Sequence, residues 1–448
     1  MPATPLFYRC AAALARGLLP LYSRFHPKAA AALRGRDAVL SRLAAWSARE
    51  RDPARPLLWM HAPSVGEGLQ ARAVLQALRA THPDWQIAFT FFSPSAEPAA
   101  REQPADVTDY LPWDRARDCE AALDVLLPRA LVFCKLDLWP ELATRAAARG
   151  VAIGMIAATV SPWSSRLRWP ARALLRPGYE TVRAAGAVSS EDAERLVRLG
   201  VAPSRIEVTG DPRYDSAVER VRQVAAQAGL GGLVSGAPTL VAGSTWEADE
   251  AVLLPAFRAV RAARPDARLV VVPHEPTPAH LARLEEQARA LELPPPVRLS
   301  SGQGAAPLLV VDRVGVLAGL YPGALAAYVG GGYGGAGLHS VVEPAACGVP
   351  VLVGPRWGGS RDAGVLLARR AAIVVSPEFP DWLDLDATST HAGANPLAAI
   401  WLALLRNPGH AAAAGRRGLA CVEAGLGAAG RSAGLIERLM NAESVSGR

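Results

Sequence analysis

The fold is set by the stretch Pro56-Leu57-Leu58-Trp59-Met60-His61-Ala62-Pro63-Ser64-Val65-Gly66-Glu67-Gly68 and the residues that follow it. Its apolar start predicts a buried strand, and Leu69 to Ala80 has helical apolar spacing without Pro or Gly. Further strand-helix units of this kind predict a doubly wound parallel α/β sheet. Glu67 then lies at a strand-to-helix junction, at the carboxyl end of a strand, where ligands bind in such sheets.

Two interpretations of Glu67 follow from these residues. A carboxylate on a turn flanked by Gly66 and Gly68 can be approached closely by a substrate, which suits a general base. Alternatively, Ser64 through Glu67 is a capping box, whose side chains satisfy free amides of the first helical turn. The residues alone leave both interpretations open.

Length and composition limit the class of protein. A chain of 448 residues is longer than one hydrophobic core supports, which predicts two domains. The net charge of +7 comes almost entirely from Arg, which suits phosphate, carboxylate or an anionic membrane surface. The cysteines are odd in number and lack a Cys-x-x-Cys pair, which disfavours a disulfide framework and a zinc site: Cys10, Cys119, Cys134, Cys347 and Cys421.

The N-terminal segment, residues 1–36, is apolar and basic. Leu6 to Tyr22 is interrupted by Arg9 and Arg16, so it falls short of the roughly 18 to 20 apolar residues of a membrane span. It predicts an amphipathic helix that either packs on its own domain or lies on an anionic bilayer. In the second case the inserting side chains are Phe7, Tyr8, Leu18, Leu19 and Tyr22.

Alternating strands and helices divide the rest of the chain into two Rossmann-like halves. We place the first domain at residues 37–228 and the second at 229–448, with bracing helices near 394–406 and 415–440 at its end. The predicted strands are 57–61, 86–91, 130–134, 151–156 and 187–189 in the first half, and 239–242, 268–272, 308–311, 326–329 and 349–353 in the second.

The second half contains the stronger phosphate-binding signals. Gly330-Gly331-Gly332-Tyr333-Gly334-Gly335 matches the dinucleotide fingerprint, but it follows a late strand and no acidic residue lies about 20 positions on, which excludes NAD. The glycines lead to Ser340, which should cap a helix, and to Glu343, which either binds a ribose or completes a capping box. His274 and His339 have no companion ligands at metal-binding spacing, so hydrogen-bonding roles are expected.

The motifs follow one another in the order found in a known family. The chain resembles the transferases of 3-deoxy-D-manno-octulosonic acid (Kdo), which move Kdo from CMP-Kdo to a lipid A precursor on a glycosyltransferase B fold. The matching motifs are His61-Ala62-x-Ser64-Val65-Gly66-Glu67, Tyr110-Leu111-Pro112, Leu138-Trp139-Pro140, Thr209-Gly210, Ala242-Gly243-Ser244-Thr245 with Glu247, Val272-Pro273, Gly330-Gly331, His339, Glu343-Pro344-Ala345-Ala346 and Gly354-Pro355.

The chain also departs from the family pattern. Lys135 stands where the family usually has an acidic residue, and Ala157-Ala158-Thr159 replaces an Asn-Ala-Arg run. Most departures in the first half fall where the acceptor should bind. The others are Asp211-Pro212-Arg213 for Asn-Leu-Lys, Ser340-Val341-Val342 for Asn-Pro-Leu, and His274-Glu275 for Arg-His.

The resemblance implies an inverting displacement with Glu67 as general base and no metal or other cofactor. Donor and substrate would contact Ser64, Gly66, Arg213, Ser244 and Thr245, and the nucleotide would contact Pro273, His274, Val314, Gly315, Val316, His339, Ser340, Val341, Val342 and Glu343. The implied partners are CMP-Kdo, a lipid A precursor and an anionic membrane surface at the cytoplasmic face of the inner membrane, and not nucleic acid.

Two alternatives remain at this point. The chain could be another B-fold sugar-nucleotide enzyme, such as a UDP-sugar transferase or epimerase. It could also be a catalytically silent nucleotide or glycan binder, because fold does not fix function.

Overall fold

The chain forms two compact units, each built on a parallel sheet. The computed structural model describes residues 3–225, 230–383 and 395–442. The first unit comprises Met1–Ser216 and Leu426–Arg448, and the second comprises Ala217–Gly425. This architecture confirms the predicted fold class of two Rossmann-like domains with an N-terminal helix.

The first unit contains a sheet with the strand order β3-β2-β1-β4-β5-β6-β7. Its strands are β1 (Leu57–His61), β2 (Gln86–Phe91), β3 (Val107–Tyr110), β4 (Ala130–Cys134), β5 (Ala152–Ala158), β6 (Val182–Ala187) and β7 (Ile206–Val208). Its helices are α1 (Leu6–Ser23), α2 (Pro27–Arg36), α3 (Val39–Glu50), α4 (Val65–Thr81), α5 (Glu97–Arg101), α6 (Ala116–Leu126), α7 (Pro140–Ala148), α8 (Ala171–Glu180), α9 (Ser190–Leu199) and the start of α10 (Arg213–Ala225).

The second unit contains a sheet with the order β10-β11-β9-β8-β12-β13-β14. Its strands are β8 (Thr239–Thr245), β9 (Arg268–Pro273), β10 (Val297–Arg298), β11 (Leu308–Val310), β12 (Ala326–Val329), β13 (Val351–Val353) and β14 (Ala372–Val374). Its helices are α11 (Leu230–Val234), α12 (Glu247–Ala263), α13 (Pro278–Ala290), α14 (Val342–Ala346), α15 (Arg361–Ala368), α16 (Pro396–Arg406) and α17 (Pro408–Gly425); α18 (Ala428–Asn441) belongs to the first unit.

Burial on both faces explains why the central strands could be recognised from sequence. Every residue of β1, β2, β4 and β5 is buried, because helices cover both faces of each sheet. Such strands are continuous apolar runs rather than alternating ones. In the second unit α12 and α16 pack together, with the rings of Phe257 and Trp401 stacked 5.8 Å apart.

The domain boundary differs from the predicted one. The units divide after Ser216 rather than after residue 228, and residue 229 lies outside the described residues. The predicted C-terminal helix at 415–440 is two helices, and α18 packs on α4, β5 and β6. Asp215 ties the start of α18 to the first unit by accepting hydrogen bonds from the amides of Gly427 (2.8 Å) and Ala429 (3.0 Å). A Cβ at Gly154 would lie 2.6 Å from Leu439, so β5 needs a glycine beneath this helix.

The N-terminal helices pack on the first unit and also expose apolar side chains. Tyr8 donates a hydrogen bond to Asp114 (2.7 Å), and Arg9 pairs with Glu141 (2.9 Å). Of the predicted inserting residues, Tyr8 and Leu19 are half-buried, whereas Phe7, Leu18 and Tyr22 are exposed. The exposed apolar residues of this segment are Leu6, Phe7, Leu14, Leu18, Leu21, Tyr22 and Phe25. Within the described ranges, no helix is both long enough and apolar enough to span a bilayer.

Candidate active site

The candidate catalytic residue of the first unit lies at a topological switch point. Strand β1 pairs with β2 on one side and β4 on the other, so the connections from these strands diverge at this edge of the sheet. Glu67 is in the first turn of α4, which follows β1, and Lys135 directly follows β4. Ligands bind at this position in open α/β sheets.

Both carboxylate oxygens of Glu67 have partners. The ammonium of Lys135 lies 2.5 Å from Oε1, and the hydroxyl of Ser64 donates to Oε2. Ser64 is the N-cap residue of α4, but its side chain makes no capping hydrogen bond. The capping-box alternative for Glu67 is therefore wrong. A Cβ at Gly66 would meet no heavy atom closer than 4.0 Å in this part of the structure, so the turn is open to a ligand.

The surroundings of Glu67 favour its charged form. Burial raises the pKa of this carboxyl, but the charge and hydrogen bond of Lys135 and the hydrogen bond from Ser64 outweigh burial and lower the pKa below its usual range. The Glu67 side chain is 13% exposed. An ionised, partly exposed carboxylate at this position can accept a proton from a bound hydroxyl.

A buried histidine supports the same edge of the sheet. His61, at the end of β1, places Nδ1 3.0 Å from the carbonyl oxygen of Thr90 and Nε2 3.2 Å from Asp137. Asp137 also accepts a hydrogen bond from the indole of Trp139 (3.1 Å). Burial raises the pKa of Asp137, but His61 and Trp139 lower it overall. Sequence analysis missed Asp137, although it directly precedes the Leu138-Trp139-Pro140 motif.

Arg213 is connected to the Glu67 helix through two side chains. Its guanidinium donates twice to Asp211 Oδ2, at 2.9 and 2.7 Å, and Asp211 Oδ1 accepts from Gln70 of α4 at 2.7 Å. Asp211 is buried, which raises its pKa, but Arg213 and Gln70 lower it overall. The structure therefore brings Ser64, Gly66, Glu67 and Arg213 into one linked group in the first unit. Sequence analysis missed Gln70 and the pairing role of Asp211.

The second unit has a corresponding switch point, with β8 between β9 and β12. Ser244, near the end of β8, has a left-handed backbone (φ 54°), and a Cβ at Gly330 would lie 2.2 Å from its carbonyl oxygen. The amides of Gly330 and Gly331 donate to Gly243 (2.9 Å) and Asp249 (2.9 Å). Close backbone packing thus requires these glycines, and their amides do not point at a ligand as the sequence suggested.

The Thr245 hydroxyl faces the protein interior. It donates to Glu250 (2.7 Å), which also lies 2.9 Å from His280. All three side chains are buried, so this network holds the end of β8 to α12 and α13. Ser244 and Thr245 are the two residues of this strand end that are predicted to contact the donor. The hydroxyl of Thr245 instead donates to Glu250 inside the fold.

An aromatic cluster lies beside these strand ends. The indole of Trp246 donates to His339 Nε2 (3.0 Å), and the rings of His274 and His339 lie 4.3 Å apart. Burial, and then the charge of His274, lower the pKa of His339 and favour its neutral form, which can accept this hydrogen bond. Pro273 ends β9 immediately before His274. Two predicted nucleotide contacts are thus in one cluster, and Trp246 is an added member that sequence analysis missed.

The segment Val314-Gly315-Val316 lies in the loop that follows β11. Val314 is 75% exposed and Val316 is buried in the apolar cluster that also contains Val224. Gly315 has a φ of 87°, which favours glycine. The backbone amides next to Gly315 thus lie on a turn that the buried side chain of Val316 holds to the protein.

Glu343 is buried and ion-paired rather than part of a capping box. Helix α14 begins at Val342, and its N-cap residue Val341 makes no side-chain cap, so the predicted cap by Ser340 is wrong. Glu343 pairs with Arg220 of α10, a partner that sequence analysis missed. Burial raises the pKa of Glu343, and Arg220 offsets only part of that increase.

A metal site needs several acidic, histidine or cysteine side chains close together. In the ranges that the structure covers, no group of three or more His, Cys, Asp or Glu side chains could hold a metal ion. The predicted lack of a cofactor stays a prediction.

Comparison with known proteins gives consistent results. The family model for 3-deoxy-D-manno-octulosonic-acid transferase (kdotransferase) matches residues 38–216. A 3-deoxy-D-manno-octulosonic acid transferase of Bordetella pertussis is 28% identical over 75% of this chain and 80% of its own length. A probable mitochondrial enzyme of the same name from Arabidopsis thaliana is 27% identical over 68% of this chain and 71% of its own.

Solved structures support the fold. A UDP-GlcNAc 2-epimerase of Neisseria meningitidis superimposes with a TM-score of 0.57 at 13% identity, covering 86% of this chain and 99% of its own. A glycosyltransferase of Rickettsia africae gives 0.53 at 11% identity, covering 87% and 100%. The family match ends at residue 216, where the first compact unit is interrupted. Residues 38–216 thus match the 3-deoxy-D-manno-octulosonic-acid transferase family model, and the chain is similar to curated transferases of that name over most of its length.

Proposed function

We propose that the protein is an inverting glycosyltransferase that moves Kdo from CMP-Kdo to a lipid A precursor in lipopolysaccharide biosynthesis. The match to the family model and the similarity to curated transferases support the reaction class, and the observation that carries the mechanism is Glu67, held by Lys135 and Ser64 at the switch point of the first sheet. The epimerase structure shares only 13% sequence identity with this chain, so its similarity supports the fold and says nothing about the reaction.

The reaction forms one bond and breaks one bond. A hydroxyl oxygen of the acceptor sugar attacks the anomeric carbon of Kdo, the bond from that carbon to the phosphate oxygen breaks, and CMP leaves with the bonding electron pair. Glu67 accepts the hydroxyl proton during attack. Ser64 and Lys135 hold the two carboxylate oxygens in place beside the open turn at Gly66.

We assign binding of the nucleotide to the second unit. Backbone amides on the turn at Gly315 and the imidazoles of His274 and His339 are groups that can hydrogen-bond phosphate oxygens or a pyrimidine. Glu343 is the carboxylate that would accept hydrogen bonds from ribose hydroxyls. Arg213 is the proposed contact for the carboxylate or phosphate of the donor, because a guanidinium suits bidentate anion binding.

We propose that the N-terminal helices hold the enzyme at an anionic membrane surface on the cytoplasmic face of the inner membrane. Exposed apolar residues of α1 lie next to basic ones in sequence, a combination typical of interfacial helices. A lipid acceptor resides at such a surface, so this placement would bring the acceptor to the first unit.

The test is a transfer assay with CMP-Kdo made in situ and a tetraacylated lipid A precursor. The wild-type protein should release CMP and add Kdo, and Glu67→Gln should lower the rate by about two to four orders of magnitude without loss of CMP binding. Protection against thermal unfolding by CMP but not UDP would separate this function from that of a UDP-sugar enzyme. Transfer at the wild-type rate by Glu67→Gln would refute the role of Glu67.

A further inference from the structure

Lys135 is an unusual residue in an unusual conformation. It is one of only two lysines among the 48 Lys and Arg residues of the chain; the other is Lys28. Its backbone is left-handed (φ 59°), and its amide donates to the carbonyl of Ile156 (2.8 Å) at the end of β5. Non-glycine residues adopt this conformation rarely, and mainly where surrounding structure fixes them. The backbone of Lys135 is thus held at the ends of two adjacent strands.

The side chain of Lys135 extends from this anchor to the candidate base. Its ammonium lies 2.5 Å from Glu67 Oε1, and its side chain is 36% exposed while that of Glu67 is 13% exposed. An arginine at this position would spread its charge over a planar fork, whereas an ammonium concentrates it at one carboxylate oxygen. The arrangement leaves the open side of the turn at Gly66 to a ligand.

We propose that Lys135 is a positioning residue that orients Glu67 and keeps it ionised, so that the enzyme retains a working base at lower pH. The inference rests on the proposed function, in which Glu67 accepts the acceptor proton. Lys135 acts through Glu67 and takes no part in bond formation.

The other groups around Glu67 cannot replace Lys135. The thiol of Cys134 donates to the backbone carbonyl of Glu67 (3.5 Å), and burial raises its pKa, so it stays neutral. Ser64 is neutral, and the Arg213 guanidinium is paired with Asp211 beyond Gln70. His61 faces Asp137 on the other side of the strand end. Among the described residues, Lys135 is the one cation recorded within ion-pair distance of the Glu67 carboxylate.

The sign of the expected pH effect follows from these contacts. A general base must be unprotonated, so kcat/KM falls as the pH drops through the pKa of Glu67. Lys135 lowers that pKa, while burial alone would raise it. Removing Lys135 should therefore move the acidic limb of the profile to higher pH.

The experiment measures kcat/KM for Kdo transfer between pH 3 and 9 in the full-length protein, a range that includes the low-pH limb expected for the wild type. We expect Lys135→Met to shift the acidic limb upward by at least about one unit. Lys135→Arg should restore most of the wild-type limb, and Arg129→Met, a control at an exposed arginine directly before the same strand β4, should leave the limb unchanged. Lys135→Gln serves as a second neutral variant if Lys135→Met is unstable. The donor ionises in the same way in every assay. The role of Lys135 is therefore judged from the difference between the pH profile of each variant and that of the wild type.

Two results separate the inference from the function on which it rests. If Glu67→Gln is inactive and the Lys135→Met and wild-type limbs coincide, Lys135 does not control Glu67 and the inference is overturned. If Glu67→Gln transfers Kdo normally, the proposed function of Glu67 fails, whatever the Lys135 profile. A shifted limb in Lys135→Met together with an inactive Glu67→Gln supports both.

Discussion

The pair of Arg220 and Glu343 gives a prediction that depends on burial as well as charge. Glu343 is 8% exposed, while the side chain of Arg220 is 35% exposed. Replacing Arg220 by Met keeps much of the side-chain volume but leaves a buried carboxylate without its cation. We expect Arg220→Met to destabilise the second unit, and more strongly at pH 8 than at pH 5.

The size of the effect follows from the exposure of the two partners. Removing one partner of a fully buried ion pair costs about 3 to 5 kcal/mol. Because Arg220 is partly exposed, solvent already screens the pair, and we expect a loss of about 1 to 3 kcal/mol at pH 8. Burial raises the pKa of Glu343 in the folded state. Its protonated form therefore contributes to stability at pH values below the pKa of the unfolded chain. That contribution is lost as the pH rises through the pKa of the folded state. The variant should raise that pKa further.

The assay is urea unfolding of the wild type and variants at pH 5 and pH 8. Arg222→Met is a matched control, because Arg222 is an exposed arginine of the same helix. The double variant Arg220→Met/Glu343→Gln should recover most of the stability lost at pH 8, since it removes the unpaired charge. An equal loss at both pH values, or no recovery in the double variant, would refute the reasoning.

Three further predictions concern the nucleotide, the glycine loop and the membrane. Glu343→Ala should raise the Kd for CMP about tenfold or more, because hydrogen bonds to a charged acceptor contribute about 1.5 to 3 kcal/mol; calorimetry showing unchanged affinity would leave Glu343 a structural role only. Gly330→Ala should lower the Tm, because its Cβ would lie 2.2 Å from a backbone oxygen. The control Gly335→Ala should leave the Tm unchanged, because its Cβ would have no heavy atom within 4 Å. The double variant Leu14→Ser/Leu18→Ser should weaken binding to anionic liposomes while leaving the Tm unchanged. If this variant floats with liposomes as well as the control Val208→Ser does, α1 is not the membrane contact.

The membrane prediction uses point substitutions because the structure argues against deleting the N-terminal segment. Arg36 of α2 is buried, with its guanidinium 4.1 Å from the ring centre of Phe92 and 4.9 Å from that of Trp113. It also donates to the carbonyl of Leu111 (3.1 Å). A chain starting near Ala38 would lose these contacts, so loss of liposome binding by such a chain could reflect misfolding.

Sequence patterns predict the other inner strands but place β6 at 187–189 rather than at Val182–Ala187, and they miss the edges of both sheets. The central strands are apolar along their whole length, since both faces are covered. The missed strands β3, β7, β10 and β14 are the four edge strands. Edge strands are short and partly polar, as in Ile-Glu-Val of β7 and Val-Arg of β10. Their pairing partner, and not their own composition, determines that they are strands.

The functional side chains show a similar limit. Glu67 could be found from sequence because a glycine-flanked turn after a strand is a local pattern. Its partner Lys135 could not, since 68 positions separate the two residues and only the order of β1 and β4 in the sheet brings them together. Arg220 was missed for the same reason, because it lies 123 positions from Glu343. The capping-box interpretations failed because each acid has a distant cation as its partner.

The two switch points place carboxylates in opposite electrostatic environments. At the first, Lys135 and Ser64 lower the pKa of Glu67, which favours a charged group that can accept a proton. At the second, burial raises the pKa of Glu343, and Arg220 only partly offsets this. Glu343 is also buried against Arg220, and its carboxylate can accept hydrogen bonds from hydroxyls. The turn at Gly66 beside Glu67 is open, whereas Glu343 is buried against Arg220, so the proposed function makes Glu67 the base and Glu343 a binding residue.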